Sequence, residues 1–595
     1  MEDRIAHILA NAADVSLFSP ELTAQCTDWN IRRYLAPDAA NILRPFEHDL
    51  RGARVLEIGA SFGQLTRYLG EIGARTTALE PSEKRRSIIR ARCRDLPQVE
   101  VRAENLSDYA PPDRFDVIVM VGALGQADRR GGSDDPELEM LKRARSLLHP
   151  QGRLILAAEN RFGLKYFAGH PDSGSGLAYG GLEGRHEEGQ SRPISRRGLE
   201  TKLKQAGFSI DSLLLPFPDH QFVHAIVDSE AFEANDFDAS VFAWSNASRD
   251  PQRIPDPPFS QELAWAEICD GGLAADLANA FLLVATPFPT RHAAARPLAW
   301  HFSMHRRPAF RKTTTFRKSD RGDIRVMVEM LEGTEQPVDT GAFLFHPELD
   351  SAYFNAPTFD REFLRLAAEP RLDLDGLVQY FSRYRSVLME LIAQDAGHGT
   401  HLATGDVPGT LLDAIPRNIL ILKDGSPLYF DREWTSRDAL SMEHMIVRSL
   451  FALVEAVTAL GNPTIPSIRS VRDLADHILR ELGMPVTRGR MNSILALEAR
   501  FLTSLAGRSH HASLIKSLDR PLPVRARNHG SFQTSLKELD RIIRRPWRPL
   551  VRSAQARALY GLVAMAPLLP LRVRKRLVRS ARKRDLRTLW QEDAR

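Results

Sequence analysis

The most regular pattern of apolar and polar positions runs from residue 54 to residue 72. Val55, Leu56 and Ile58 form a short apolar run that predicts a buried strand, and Gly59 and Gly63 predict a turn. Phe62, Leu65, Leu69 and Ile72 then recur at spacings of three and four, which predicts an amphipathic helix. A second strand is expected at 75–79 and ends on Glu80, twenty-one residues after Gly59. Residues 99–103 predict a third strand that ends in Glu104 and Asn105. Residues 115–122 are a near-continuous apolar run closing on Gly122, the pattern of a central strand covered on both faces. A helix at 138–148, a turn at His149-Pro-Gln-Gly and a strand at 153–158 continue the alternation, which predicts an α/β fold with a doubly wound sheet.

Outside that stretch the pattern changes. Residues 1–50 read as helical, and 219–277 as an insertion with proline and acidic stretches leading to a last strand at 281–285. Residues 287–297 read as a linker. From about Trp300, residues 310–318 and 324–328 predict antiparallel strands, 377–391 a helix, and 441–506 a largely helical region.

A strand that feeds a glycine turn and a helix N-terminus lets backbone N–H groups approach a ligand closely. Glu80 would then sit beside the turn, where it can accept hydrogen bonds from both hydroxyls of a ribose, each worth roughly 1.5–3 kcal/mol. Two cofactor classes use this arrangement. A nicotinamide fingerprint wants glycine at 59, 61 and 64, which here are Gly59, Ser61 and Gln64. Glu57 with Gly59 and Gly63 fits better the E/D-x-G-x-x-x-G pattern of S-adenosylmethionine enzymes. A strand–turn–helix without a ligand is the plain alternative.

Taken together, the region from about residue 28 to residue 286 resembles class I S-adenosylmethionine-dependent methyltransferases, which have a Rossmann-like fold. It is further similar to a bacterial group associated with cell-surface polysaccharide synthesis. The narrower likeness rests on Asp28-Trp29, Tyr34-Leu-Ala-Pro37, Asn41-Ile-Leu-Arg-Pro45, Arg92-Cys93-Arg94-Asp95-Leu96, Glu159-Asn160-Arg161 with the residues up to Gly169, and Pro216-Phe-Pro-Asp219. The resemblance implies S-adenosylmethionine as cofactor, bound by Glu57, Gly59, Ser61, Gly63, Glu80, Glu104, Asn105 and Gly122. It implies a saccharide or glycolipid acceptor. Two departures stand out. Ser61 holds a position where glycine is usual, and Gly125-Gln126 replaces an acidic-aromatic pair near the reacting group.

A sugar hydroxyl needs a base within hydrogen-bond reach, whereas a phosphate is already anionic and needs only positive groups. After the fifth strand the chain offers Glu159, Asn160, Arg161, Tyr166, His170 and Asp172. His170 is the candidate base, with a loop histidine held by a structural partner as the alternative. Glu159 either reacts or orients the loop. Asn160, Arg161 and Tyr166 are candidates for holding the acceptor, and Arg185 or Arg192 for an anionic one.

A second constellation lies at Asp413, Asn418 and Asp431, spaced by five and thirteen residues around a predicted hairpin. It resembles the catalytic loop and metal-binding aspartate of kinase-like phosphotransferases, which would imply Mg-ATP. An ordinary hairpin has the same residues. Glu329 stands where such a strand would carry its lysine, and Lys312 or Lys318 would replace it only with rearrangement. The expectation is a degenerate kinase-like domain, in the domain order of bifunctional methyltransferase/kinase proteins that cap O-antigen chains. The expected organisation is an N-terminal helical segment at 1–50, a methyltransferase domain at 51–290, an α+β kinase-like domain at 298–470, a helical region at 471–540 and a basic amphipathic tail at 541–595.

Charge and cysteines refine this picture. The tail has sixteen basic residues against three acidic ones, a net +13, so the whole-chain +5 leaves −8 on the first 540 residues. That argues against a nucleic-acid channel through the catalytic region. The apolar run 558–571 followed by Arg572-Val-Arg-Lys-Arg576 suits a segment lying on an anionic membrane surface, and a solvated helix packed on its own domain is the alternative. Only three cysteines, Cys26, Cys93 and Cys269, an odd number without C-x-x-C spacing, argue against a disulfide framework or a thiolate zinc site, and no metal ligand is assigned. An acidic N-terminus without a signal-type apolar core, and no run of about 18 apolar residues, point to a cytoplasmic chain, either free or peripheral on the inner membrane face. The rival from another class is a non-catalytic scaffold that binds the cofactor and organises polysaccharide assembly.

Overall fold

The computed structural model describes residues 1–127, 133–187, 190–254, 257–289, 296–395, 406–507 and 511–524. The tail at 541–595 and most of the expected linker lie outside the described residues.

Fourteen strands carry the argument. They are β1 (Arg54–Ile58), β2 (Arg75–Leu79), β3 (Val99–Arg102), β4 (Phe115–Val121), β5 (Leu148–Glu159), β6 (Ser209–Asp219), β7 (Phe222–Asp228), β8 (Ala280–Thr286), β9 (Ala299–Ser303), β10 (Lys312–Lys318), β11 (Ile324–Met330), β12 (Val338–Asp339), β13 (Phe343–Phe345) and β14 (Asp350–Ala352). All but β12 and β13 join one sheet in the order β14-β11-β10-β9-β7-β6-β8-β5-β4-β1-β2-β3. β3, β2, β1, β4 and β5 pair in parallel, and β8 enters antiparallel between β5 and β6. From β6 outward every pairing is antiparallel.

Local pattern explains the two halves. Residues 117–120 of β4 are all buried, as a strand covered on both faces requires. β11 is buried only at Ile324 and otherwise alternates between half-buried and exposed, as one face turns to solvent. The pairing of β7 with β9 carries the sheet straight across the 290/298 boundary expected between domains. The interior is shared as well. One hydrophobic cluster runs from Leu56 and Phe115 through Phe217 and Trp265 to Phe310, Trp434 and Phe501. Two features of the sequence hid this continuity: β7 lay inside the apparent insertion, and its partner β9 lay beyond the apparent linker.

The N-terminal segment folds over the first helix of the sheet. Gln64 Nε2 donates to the Arg33 carbonyl (2.6 Å), Arg92 to the Tyr34 carbonyl (2.6 Å), and Asn41 Nδ2 to the Val223 carbonyl on β7 (2.8 Å). Tyr34 packs on Phe62 at 4.1 Å between ring centres. Several residues that carry the narrower likeness thus hold backbone together. Among the described residues, no helix is long and apolar enough to cross a membrane.

Candidate active site

The C-terminal ends of β1, β2, β4 and β5 open into a cavity of about 350 Å³. Its floor is the glycine turn. Gly59 has φ +77°, and a Cβ there would lie 2.8 Å from Ala123 Cβ, so a side chain would push β1 from the end of β4. Gly63 (φ +76°) precedes the helix Gln64–Glu71, and Ser61 adopts the left-handed region as a non-glycine residue. Ser61 N–H donates to Glu80 Oε2 (3.1 Å) and Ser82 N–H to Oε1 (3.0 Å), which fixes the Glu80 carboxylate at the cavity edge. Each oxygen keeps lone-pair capacity for a further donor. Glu57 lies beneath the turn. Burial pushes its carboxyl up to about 7, although Thr66 Oγ1 donates to it at 2.5 Å.

The opposite wall holds a histidine that sequence reasoning missed. His220 is buried and lines the cavity, and its Nε2 lies 3.7 Å from where a Cβ on Gly122 would stand. Its Nδ1 is 2.6 Å from Asp219 Oδ1, and Lys165 Nζ bonds Asp219 Oδ2. Burial alone would raise Asp219, but Lys165 and His220 hold it well below the usual carboxylate range. Burial alone would lower Lys165, but Asp219, Asp250 and Glu159 keep it protonated. Asp219 therefore stays ionised behind the ring; its contact with Nδ1 lacks hydrogen-bond alignment, and Nε2 is the nitrogen that faces Gly122 and the cavity. The motif Pro216-Phe-Pro-Asp219 stopped one residue short of it.

Arg192 also lines the cavity, and its buried Nε has no hydrogen-bond partner. Gly125 accounts for that placement. Its carbonyl accepts the Arg192 N–H (3.2 Å), and a Cβ on it would meet Ser191 Oγ at 2.9 Å. The glycine that departs from the family pattern lets the 191–192 segment close on the cavity.

The predicted residues divide. Glu57, Gly59, Ser61, Glu80, Gly122 and Glu159 line the cavity, while Gly63 shapes the turn. Glu159 is engaged by Tyr166 Oη and Ser173 Oγ, which fits an orienting role, and burial followed by Glu159 raises Tyr166 well above the ordinary phenol. His170, the sequence-predicted base, is not among the lining residues. Beyond the short helix Leu164–Phe167 the chain turns at Gly169 (φ +97°), and the ring faces the Pro171 carbonyl at 2.7 Å, outside the lining. Glu104 and Asn105 are not brought to the cavity either. They follow the edge strand β3, where the Asn105 carbonyl starts a turn by accepting Asp108 and Tyr109 N–H groups. Asn160 is fully buried and donates to the Asp276 and Ala278 carbonyls (2.7 Å each), so it joins loop to loop. Arg161 and Arg185 are not among the lining residues, and Arg185 pairs with Glu183 at 2.6 Å.

A second polar centre lies between β10 and the hairpin of strands Ile419–Ile421 and Pro427–Tyr429. Lys312 Nζ on β10 is 3.2 Å from Asp431 Oδ1 and bonds Glu433, which also accepts from Arg306 Nη1 (2.8 Å). Lys312 thus reaches Asp431 without rearrangement, contrary to expectation, because it sits one strand earlier than Glu329 on β11. Asn418 Nδ2 donates to the Asp413 carbonyl (3.0 Å), and the Asp413 carboxylate pairs with Arg448 (2.7 Å). Asp431 has φ +55°.

The strand order with a reversed β8 and a glycine turn at its centre is the Rossmann-like fold of class I methyltransferases, here within a longer mixed sheet. Residues 29–213 match the family described as "Methyltransferase domain". The chain is 25% identical over 171 residues to ubiquinone biosynthesis O-methyltransferase of Bradyrhizobium diazoefficiens, covering 25% of this chain and 63% of that protein. It is 33% identical over 106 residues to demethylmenaquinone methyltransferase of Tropheryma whipplei, covering 18% and 41%. The chain therefore spans less than two thirds of the length of these relatives. Among solved structures it is similar to the glycopeptide N-methyltransferase MtfA, with 14% identity, a TM-score of 0.24 and coverage of 42% of this chain and 90% of that one.

Proposed function

We propose that this chain is an S-adenosylmethionine-dependent methyltransferase that methylates an oxygen of a saccharide or glycolipid precursor of a cell-surface polysaccharide. The observation that carries the reading is one cavity lined by Glu80, His220 and Arg192, whose buried Nε has no hydrogen-bond partner among the described residues. The fit to the cofactor rests on the lone pairs left on Glu80 at the edge of the cavity, beside the left-handed turn at Gly59 and Ser61. When bound, S-adenosylmethionine supplies an electrophilic methyl group. Glu80 accepts from the ribose hydroxyls, and Ser61 holds Glu80 in place. Arg192 pairs with an anionic group of the acceptor, and His220 Nε2 takes the hydroxyl proton as the new C–O bond forms. Asp219, held ionised by Lys165, places a negative charge behind the imidazole that stabilises it once it has taken the proton.

The test is label transfer. Protein is incubated with methyl-labelled S-adenosylmethionine and an extract of its source cells, and the lipid, glycan, nucleic-acid and protein fractions are counted. Label in glycan or glycolipid that is lost in Glu80→Ala is the expected result. Label in another fraction sinks the acceptor class. Bound cofactor without any label favours the scaffold reading.

A second reading concerns the other polar centre. The contact of Lys312 with Asp431 favours a Mg-ATP site there, and with it a bifunctional protein. Titration with a fluorescent ATP analogue in the presence of Mg²⁺ tests it, and binding that is unchanged in Asp431→Asn counts against it. The basic tail is the part of the chain we assign to an anionic membrane surface, and loss of vesicle binding on deleting 541–595 is the corresponding check.

A further inference from the structure

A third cluster lies apart from both centres. Asp38 comes from the 3₁₀ turn Pro37–Ile42, His224 from β7 and His305 from the segment just after β9. One ligand atom from each lies within 4.8 Å of the other two. Asp38 is fully buried, and neither of its carboxylate oxygens has a hydrogen-bond partner among the described residues. His305 Nε2 stands 2.8 Å from Oδ1, yet the contact lacks hydrogen-bond alignment. Such a carboxylate is costly unless something satisfies it. His224 is largely buried, and its ring centre is 5.9 Å from that of His305, which is half exposed and opens the cluster to solvent.

We propose that Asp38, His224 and His305 bind a divalent transition-metal ion, zinc before the others, that pins the N-terminal segment to β7 and to the exit of β9. Two imidazoles and one carboxylate are a donor set suited to Zn²⁺ and to Co²⁺ as its stand-in, and leave a further position for water. The ligands come from parts of the chain more than eighty residues apart, so the ion would tie the α/β half to the antiparallel half. Asn41, three residues from Asp38, already fastens the same turn to the Val223 carbonyl at 2.8 Å. Two positive groups oppose an ion: Arg249, which acts on His224, and Arg32, whose Nη2 is 3.3 Å from His305 Nε2 and whose guanidinium lies over Phe222. Arg32 must turn aside for the His305 ring to face an ion.

The experiment is titration of the chelator-stripped full chain with Co²⁺, read by visible absorption, followed by displacement with Zn²⁺. One equivalent with the absorption of a tetrahedral nitrogen–oxygen site is expected, displaced stoichiometrically by Zn²⁺. His305→Ala, at a half-exposed position where folding is retained, is expected to weaken binding at least tenfold. Arg32→Ala is expected to tighten it several-fold, because a neighbouring positive charge is removed. A wild type that binds no more Co²⁺ than His305→Ala, or affinities equal in all three proteins, overturns the site and leaves a simple ion pair. Neither result depends on the methyl-transfer reading.

Discussion

At the ends of β1, β2 and β4 charged side chains face a cavity, whereas between β10 and the Pro427–Tyr429 hairpin strand they face each other. In the first region Glu80 is held by backbone N–H groups and Arg192 Nε has no partner. In the second, Lys312, Arg306, Asp431 and Glu433 neutralise one another, and Arg448 is shared between Asp413 and Glu498. The same residue types therefore do different work. A backbone-anchored carboxylate keeps capacity for a ligand, while Lys312 and Glu433, both buried, spend most of theirs on each other and only Asp431, half exposed, stays open to solvent. A ligand entering the second centre would have to displace Asp431 or Glu433 from Lys312.

The largest expected effect separates the two regions in activity. His220→Ala should lower kcat by about 10²–10⁴, the range for a lost general base, with cofactor affinity kept. Single-turnover rates measure it, and a His170→Ala variant of equal effect would return the base to the sequence-predicted position. Next, Lys312→Met should destabilise the fold by about 3 kcal/mol, the low end for a broken buried pair, since buried Glu433 would keep only Arg306 and half-exposed Asp431 adds little. Urea unfolding reads this, and an unchanged midpoint would mean that the second centre is as open as the first. The smallest effect is a pH dependence. Glu57 titrates near 7 when folded, above its ordinary 4.5, so the native state holds its proton longer than the unfolded chain. Stability from this group is full below about pH 4.5 and falls as pH rises through about 7, by at most ~3 kcal/mol. Glu57→Gln should flatten that slope in melts of the cofactor-free protein, and an identical slope would contradict the burial of Glu57.

Local signals in the chain were enough for the glycine turn, the flanking strands and helix, and the carboxylate at Glu80. Each of these depends on residues within about twenty-five positions, where apolar periodicity and turn chemistry act. The same local logic failed at Glu104 and Asn105, because which strand lies at the sheet edge is not a local property. It did not place His170 and His220, because a turn at Gly169 sets the first ring against the Pro171 carbonyl while the end of β6 brings the second to the cavity lining.

Residues 54–122 thus specified a nucleotide-type turn before any folding was known, through period, glycine and a well-spaced acid. The folded chain alone settled that the sheet runs on through β7 and β9, that Lys312 meets Asp431, that Gly125 admits Arg192, and that Asp38 meets two histidines. Those are contacts between segments far apart in sequence, selected by burial of apolar surface and pairing of buried charge, and neither leaves a periodic trace along the chain.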